Sequence, residues 1–288
     1  MERKVYINSY AGIKGDAEPD YKDFIPDPVI RRRMSRIIKM GVSSALLALR
    51  NSGTDKVDGI ITGTGWGCLA DTEKFLNSIY ENDERLLNPS AFIQSTPNTV
   101  GAQVALSIGS KSYNVSYVHG GISFESALID TMLKLQERNC GNILVGGFDE
   151  MSPTKKHILE RMGVWRIAKP GEGSYFFVMS NRVTDTTVAE LVSVDIPHGH
   201  SELKEHIDLS GNVMLLCGAE DMLHYSENLS SKVVNYKENC GEYPTASAYA
   251  LWYGCTLIFS KTDVDKIIIV TRHLKERMSI ITIKRRAV

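Results

Sequence analysis

Short runs rich in β-branched and aromatic residues alternate along this chain with stretches whose apolar residues recur at helical spacing. That alternation restricts it to the α/β class. Residues 4–13 (KVYINSYAGI) read as the first strand, and residues 35–51 as a helix with Ile37, Ile38, Val42, Ala45, Leu46 and Leu49 on one stripe, stopped by Gly53. Residues 59–65 (GIITGTG) read as a buried strand entering a glycine-rich bend. A helix follows from Thr96-Pro97 to Ile108 with Gly109 closing it, then a strand at 113–118 and a helix at 123–138 whose inner stripe is Phe124, Ala127, Leu128, Thr131 and Leu135. NILVGG (142–147) and SYFFVMS (174–180) are further strands.

Residues 181–187 (NRVTDTT) read as a connector. Beyond it come the strands AELVSVDI and VMLLCG, a helix over 245–259, and KIIIVT with MSIITIKR as hairpin partners. Two α/β halves, 1–180 and 181–288, forming one compact unit are therefore expected, although no sequence repeat relates them. At 43% hydrophobic and 23% charged residues the chain can bury a core, and its net charge of −1 gives no drive toward nucleic acid or membrane. No apolar run has the length of a membrane span and MERKVYINSY is no signal peptide, so a cytoplasmic location is expected. Five cysteines (Cys68, Cys140, Cys217, Cys240, Cys255) without a CxxC pair read as reduced, buried thiols.

Four motifs then fall in order: Gly63-Thr64-Gly65-Trp66-Gly67, SYNVSYVHGGISFESAL, NILVGGFDE and PGEGSYFFVMS. Their succession resembles the β-ketoacyl-acyl-carrier-protein synthases, most closely the divergent branch tied to aryl polyene and flexirubin-type pigments. The resemblance spans nearly the whole chain and implies a thiolase-like fold: two mixed β-sheets with helices sandwiched between and outside, here with a truncated second half. In that family a strand ends at a cysteine opening a buried helix, whose N-terminal amides lower the thiol pKa and can hold an oxyanion.

Here that position falls on His119, followed by Gly120 and Gly121, and no cysteine lies between Cys68 and Cys140. The resemblance places further active-site positions at Lys237, at Glu242 in a Gly-Glu pair where the family has Gly-His, and at His273 in TRHLKER, where family glycines are missing. The segment VMLLCGAED has no histidine where the family's first one falls. Lys275 and Glu276 replace residues that would allow close backbone approach. These departures predict a lost condensing site. His119 is expected to be a neutral residue filling the nucleophile pocket, although a core histidine satisfied by a neighbour would look the same.

Other features have plainer readings. The run His198–His200 with His206 has loose metal-ligand spacing but no supporting cysteine or carboxylate pattern, so a solvated loop is expected and no metal or cofactor. Arg31–Arg33 with Arg36 and Lys39 could dock an acidic carrier protein but more simply form an exposed helix start. Asp149 and Glu150 read as structural, and Tyr243, Tyr249, Trp252 and Tyr253 as packing for the second helix.

The expected function is a non-catalytic ketosynthase-like partner subunit of chain-length-factor type, working with an acyl carrier protein. Dimerisation with a ketosynthase or with itself would use Asn98, Val100, Gln103, Val104, Asn114, Ser116 and Tyr117 at the interface and acyl tunnel. The alternatives are a cysteine-free acyl-carrier decarboxylase, acyltransferase or divergent synthase, and a homodimeric acyl-chain binding protein.

Overall fold

A computed structural model describes residues 3–197, 207–208, 210–218, 233–274 and 277–286. The HGH run, His206, Asp221, Lys275 and Glu276 lie outside the described residues. The first half runs β1 (Val5–Lys14), α1 (Pro28–Arg33), α2 (Arg36–Ser52), β2 (Gly59–Gly63), α3 (Leu69–Glu81), α4 (Pro89–Ser95) and α5 (Thr99–Ile108). It continues with β3 (Tyr113–Tyr117), α6 (Ser123–Gln136), β4 (Asn142–Asp149), α7 (Pro153–Arg161) and β5 (Gly173–Ser180). The second half has β6 (Ala189–Asp195), β7 (Val213–Cys217), β8 (Val233–Asn235), α8 (Lys237–Cys240), α9 (Ala246–Ser260), β9 (Lys266–Arg272) and β10 (Met278–Arg285).

The strands form one mixed sheet in the order β3-β2-β4-β5-β1-β6-β10-β9-β7-β8. Its halves repeat one topology, which no sequence repeat had announced. β2 pairs parallel with β3 and β4, then β4 with β5 and β5 with β1 antiparallel. β7 likewise pairs parallel with β8 and β9, then β9 with β10 and β10 with β6 antiparallel. The two expected five-stranded sheets are therefore present, joined where β1 meets β6 through only three residue pairs, Val5–Leu191, Tyr6–Glu190 and Ile7–Ala189. The β9–β10 hairpin forms as expected.

Alternation along each strand sorts the core into layers. Ile143 and Val145 of β4 face the inner cluster, which holds Phe124 and Leu128 of α6 with Leu251 and Cys255 of α9. Leu144 and Phe148 face an outer cluster with Ile37, Ile38 and Met40 of α2 and Val100 and Val104 of α5. Ten of the fifteen α9 residues are buried, as befits a helix covered on most sides. Tyr249 and Trp252 meet Tyr175 of β5 at 5.4 and 5.9 Å between ring centroids, and Tyr10 of β1 meets Trp252 at 6.5 Å.

Two expectations need correction. The helix read from Thr96 begins at Thr99, because the Thr96 and Thr99 hydroxyls bond at 3.0 Å and the Thr99 N–H turns back to the Thr96 carbonyl. Val100 and Val104 cannot line a partner interface, because both are 0% exposed in this chain's own core. Gly41 of α2 lets Val100 approach so closely that a Cβ there would lie 2.3 Å from its Cγ1.

Gly63 ends β2 directly against the start of α6: a Cβ there would lie 2.5 Å from the Ser123 carbonyl oxygen and 2.7 Å from the Phe124 Cα. Both are backbone atoms and cannot rotate away. Gly63→Ala should therefore cost about 1–3 kcal/mol or more in denaturant unfolding. A loss under about 0.5 kcal/mol, the ordinary surface range, would show that the strand–helix junction is looser than described.

Candidate functional site

Three chain crossings converge where β3 gives way to α6. The first is the bend after β2, Thr64-Gly65-Trp66. The second is the turn His119–Ile122, with Gly120 at φ 59°. The third is the segment Gly241–Thr245 that leads into α9. A Cβ on Gly65 would meet the Pro244 ring at 2.4 Å and the Gly120 carbonyl at 3.5 Å, so the three segments come together at Gly65.

Asp149, at the end of β4 and fully buried, ties two of them together. Its Oδ1 accepts from the Thr64 hydroxyl (3.0 Å), the Gly65 N–H (3.0 Å) and the Trp66 N–H (3.1 Å). Its Oδ2 accepts from the Thr245 N–H (3.1 Å) and hydroxyl (2.9 Å). Glu150 beside it accepts from the Ala70 N–H at 2.9 Å, and burial raises its carboxyl pKa to about 7. The structural reading of this acidic pair holds.

His119 is exposed at the sheet edge, not buried as a plug. It follows β3, which has a neighbour on one side only, and a residue on such an edge is not enclosed by its own chain. Its N–H donates to the Ser123 hydroxyl at 2.8 Å, and its ring sits edge-on to Tyr117 at 5.6 Å. Nδ1 lies 3.0 Å from the Ser126 Oγ. Ser126 donates its own hydroxyl to the Ile122 carbonyl at 2.9 Å, so its oxygen can accept from the His119 ring.

Lys237, Glu242 and His273, far apart in sequence, come together. Lys237 Nζ donates to Glu242 Oε2 at 2.6 Å and to the Arg272 carbonyl, and His273 Nδ1 meets Glu242 Oε1 at 2.7 Å. All three side chains are at most 15% exposed. Burial pushes the Glu242 carboxyl up, but the bonds from His273 and Lys237 outweigh it and hold the pKa below the usual carboxylate value. The array borders a cleft of about 400 Å³ walled by Trp165, Arg166, Lys169, Lys237, Glu242 and Arg272. Its polar groups are spent on one another, leaving little to activate a ligand.

Glu125 escaped the sequence reading. An acid inside the apolar stripe of a sandwiched helix was the signal available. It is 0% exposed; Oε1 accepts from the Ser279 hydroxyl at 2.8 Å, while Oε2 is buried without a partner among the described residues. Burial raises its pKa. All five cysteines are buried, and burial raises the thiol pKa of Cys140 to about 11, of Cys240 to about 12, and of Cys68 and Cys255 higher still. Among the described residues no group of three or more His, Cys, Asp or Glu side chains could hold a metal ion, and no helix is long and apolar enough to cross a membrane.

Because the Glu125 pKa is raised in the folded state, that state holds its proton to higher pH than the unfolded chain. Its contribution is thus undiminished below the unfolded value of about 4.3 and falls as pH rises above it. Glu125→Gln keeps the acceptor for Ser279 and removes the ionisation. The variant should be more stable than the wild type at pH 7, with the gap closing toward pH ~4 in melts taken across pH. A gap that widens on acidification would contradict the assignment.

Comparisons with known proteins agree with this architecture. A family model described as the β-ketoacyl synthase N-terminal domain matches residues 8–164, more than half of the chain. No curated protein sequence matches it significantly. Among solved structures it is similar to a chain of AntDE:AntF, a type II polyketide synthase acyl-carrier protein in complex with its ketosynthase bound to the hexaketide. That match has a TM-score of 0.81 at 14% identity, covering 99% of this chain and 100% of that one. The ishigamide ketosynthase/chain length factor matches at TM-score 0.78 and 13% identity, covering 99% and 100%. The ketosynthase ApeO in complex with its chain length factor ApeC, from Xenorhabdus doucetiae, matches at TM-score 0.59 and 12% identity, covering 98% and 99%. At such identities the likeness is one of fold, and the fold is that of the thiolase-like ketosynthases. With the family model spanning β1 to the end of α7, the chain belongs to the β-ketoacyl synthase family.

Proposed function

We propose that the chain is a non-catalytic, ketosynthase-like partner subunit of chain-length-factor type, serving polyketide biosynthesis of the aryl polyene kind. One observation carries the reading: the position where the resemblance puts the nucleophilic cysteine holds His119, at the turn that precedes α6, and the Lys237, Glu242 and His273 side chains bond to one another. Condensation needs a nucleophile able to form an acyl thioester; an imidazole at that position forms none, and the thiols elsewhere are buried. The solved relatives include ketosynthases in complex with a chain length factor and with a carrier protein, which supports a ketosynthase and an acyl carrier protein as partners here.

The pairing surface in this reading is the edge strand β3 with the helices beside it. Among the described residues β3 has a free edge, with Tyr113 and Asn114 exposed and Ser116 and Tyr117 half-buried. Asn98 and Gln103 of α5 remain available, whereas Val100 and Val104 do not. Large apolar side chains are left in water on the two helices that pack beside β3: Leu106 of α5 at 74% and Leu133 of α6 at 65% exposed. A free edge flanked by such residues calls for cover.

The second reading, chemistry without cysteine, draws on one feature. His119 is exposed, and its contact with Ser126 uses Nδ1 and not Nε2.

Incubation with acyl-loaded carrier protein followed by mass spectrometry should show no covalent acyl adduct, and a stoichiometric adduct on any cysteine would sink the proposal. Val118, 44% exposed just past β3, gives a second test. Val118→Asp should leave the melting temperature nearly unchanged, as an exposed position does, while weakening dimer formation at least about tenfold in light scattering or pull-down with the ketosynthase. Unchanged association would place the partner elsewhere.

A further inference from the structure

Away from the β3 edge and the Lys237 cleft, the geometry points to a second ligand site between α3, α4 and the end of α1, built for a small molecule that carries an ammonium beside an anionic group. It is a half-open cavity of about 490 Å³ walled by Arg33, Asp71, Lys74, Asn88, Ser90 and Gln94. At its base Asp71 is only 8% exposed, and its Oδ2 is fully enclosed with no hydrogen-bond partner among the described residues. An enclosed carboxylate oxygen without a donor is costly, so a structural role would be expected to supply one.

The obvious structural role is absent. Asp71 stands in the first turn of α3, where a carboxylate can satisfy free amides. The Ala70 amide is already taken by Glu150 Oε1 at 2.9 Å, and Asp71 Oδ2 accepts from none of the first-turn amides among the described residues. Asn88 is occupied as the cap of α4, accepting from the Ser90 N–H at 2.9 Å, and the Gln94 amide donates to the Arg33 carbonyl. That leaves Asp71 as acceptor at the floor, with the Arg33 guanidinium and Lys74 ammonium as exposed donors on the rim. Neither cation lies within ion-pair distance of Asp71.

Complementarity fixes the ligand class. Asp71 takes an ammonium, and Arg33 with Lys74 takes a carboxylate or a phosphate, the guanidinium as a fork and the amine as a point charge. The inference is independent of the partner-subunit reading, since it uses none of those residues.

Titration calorimetry on the full chain would use phosphoethanolamine and β-alanine, which set an ammonium two carbons from a phosphate or a carboxylate. Inorganic phosphate and ethanolamine are the controls. At least one zwitterion should bind better than either control, and which one does identifies the anion. Asp71→Asn should erase that preference, a loss of about tenfold or more for one charge-assisted bond, while Arg33→Gln should weaken the zwitterion and phosphate alike. Without ligand, Asp71→Asn should melt no lower than the wild type, since it removes an unsatisfied buried oxygen.

Phosphate binding as well as both zwitterions would mean an adventitious ion only and overturn the proposal. So would no heat from either zwitterion up to about 10 mM, weaker than the usual range for small ligands. Lys74, one turn along the same helix, could instead close onto Asp71. A lowered melting temperature for both Lys74→Gln and Asp71→Asn, with zwitterion binding unchanged, would establish that internal pair and refute the site.

Discussion

A carboxylate removed from water loses several kcal/mol of hydration unless fixed donors replace it, and at Asp149 five donors do so. They come from the bend after β2 and from the start of α9, so one side chain sets the distance between the two halves at the point where the site would be. The same bonds fix the bend at Gly65 close to Pro244 and Gly120.

Two other acids show how burial divides structure from chemistry. Glu242 is enclosed but answered by Lys237 and His273, and its charge is stabilised. Glu125 is enclosed, bonded through one oxygen to Ser279 with the other unpartnered among the described residues, and burial raises its pKa. In a working ketosynthase-like site the polar groups would face a substrate. Here the first acid closes on its own neighbours and the second is walled in by α6 and β10.

Much of this was legible in the chain. β1, α2, α6, β4, β5 and α9 show period 2 or 3.6 strongly enough to place within a few residues, and Gly53 and Gly109 mark helix ends at φ 65° and 64°. α3 was not legible because its N-cap is Cys68, which offers no capping bond, and β8 because three residues carry no period. The duplicated strand order left no trace because topology is set by pairing partners rather than residue identities. The exposure of His119 was hidden for a related reason: YNVSY has the composition of a buried strand, and only the sheet order reveals it as an edge. Lys237, Glu242 and His273 were placed by resemblance, but their mutual bonding across 36 residues of sequence needed the fold.

The most direct test of a scaffold rather than a catalyst is the His119→Ala variant reconstituted with its ketosynthase. His119 is exposed and makes one side-chain hydrogen bond, to Ser126, so the variant should fold and pair normally. Product formation by the pair, measured alongside complex affinity, should stay within about twofold of the wild type, since less than ~0.5 kcal/mol separates them. Product loss of a hundredfold with the complex intact would show that His119 performs chemistry and contradict the account.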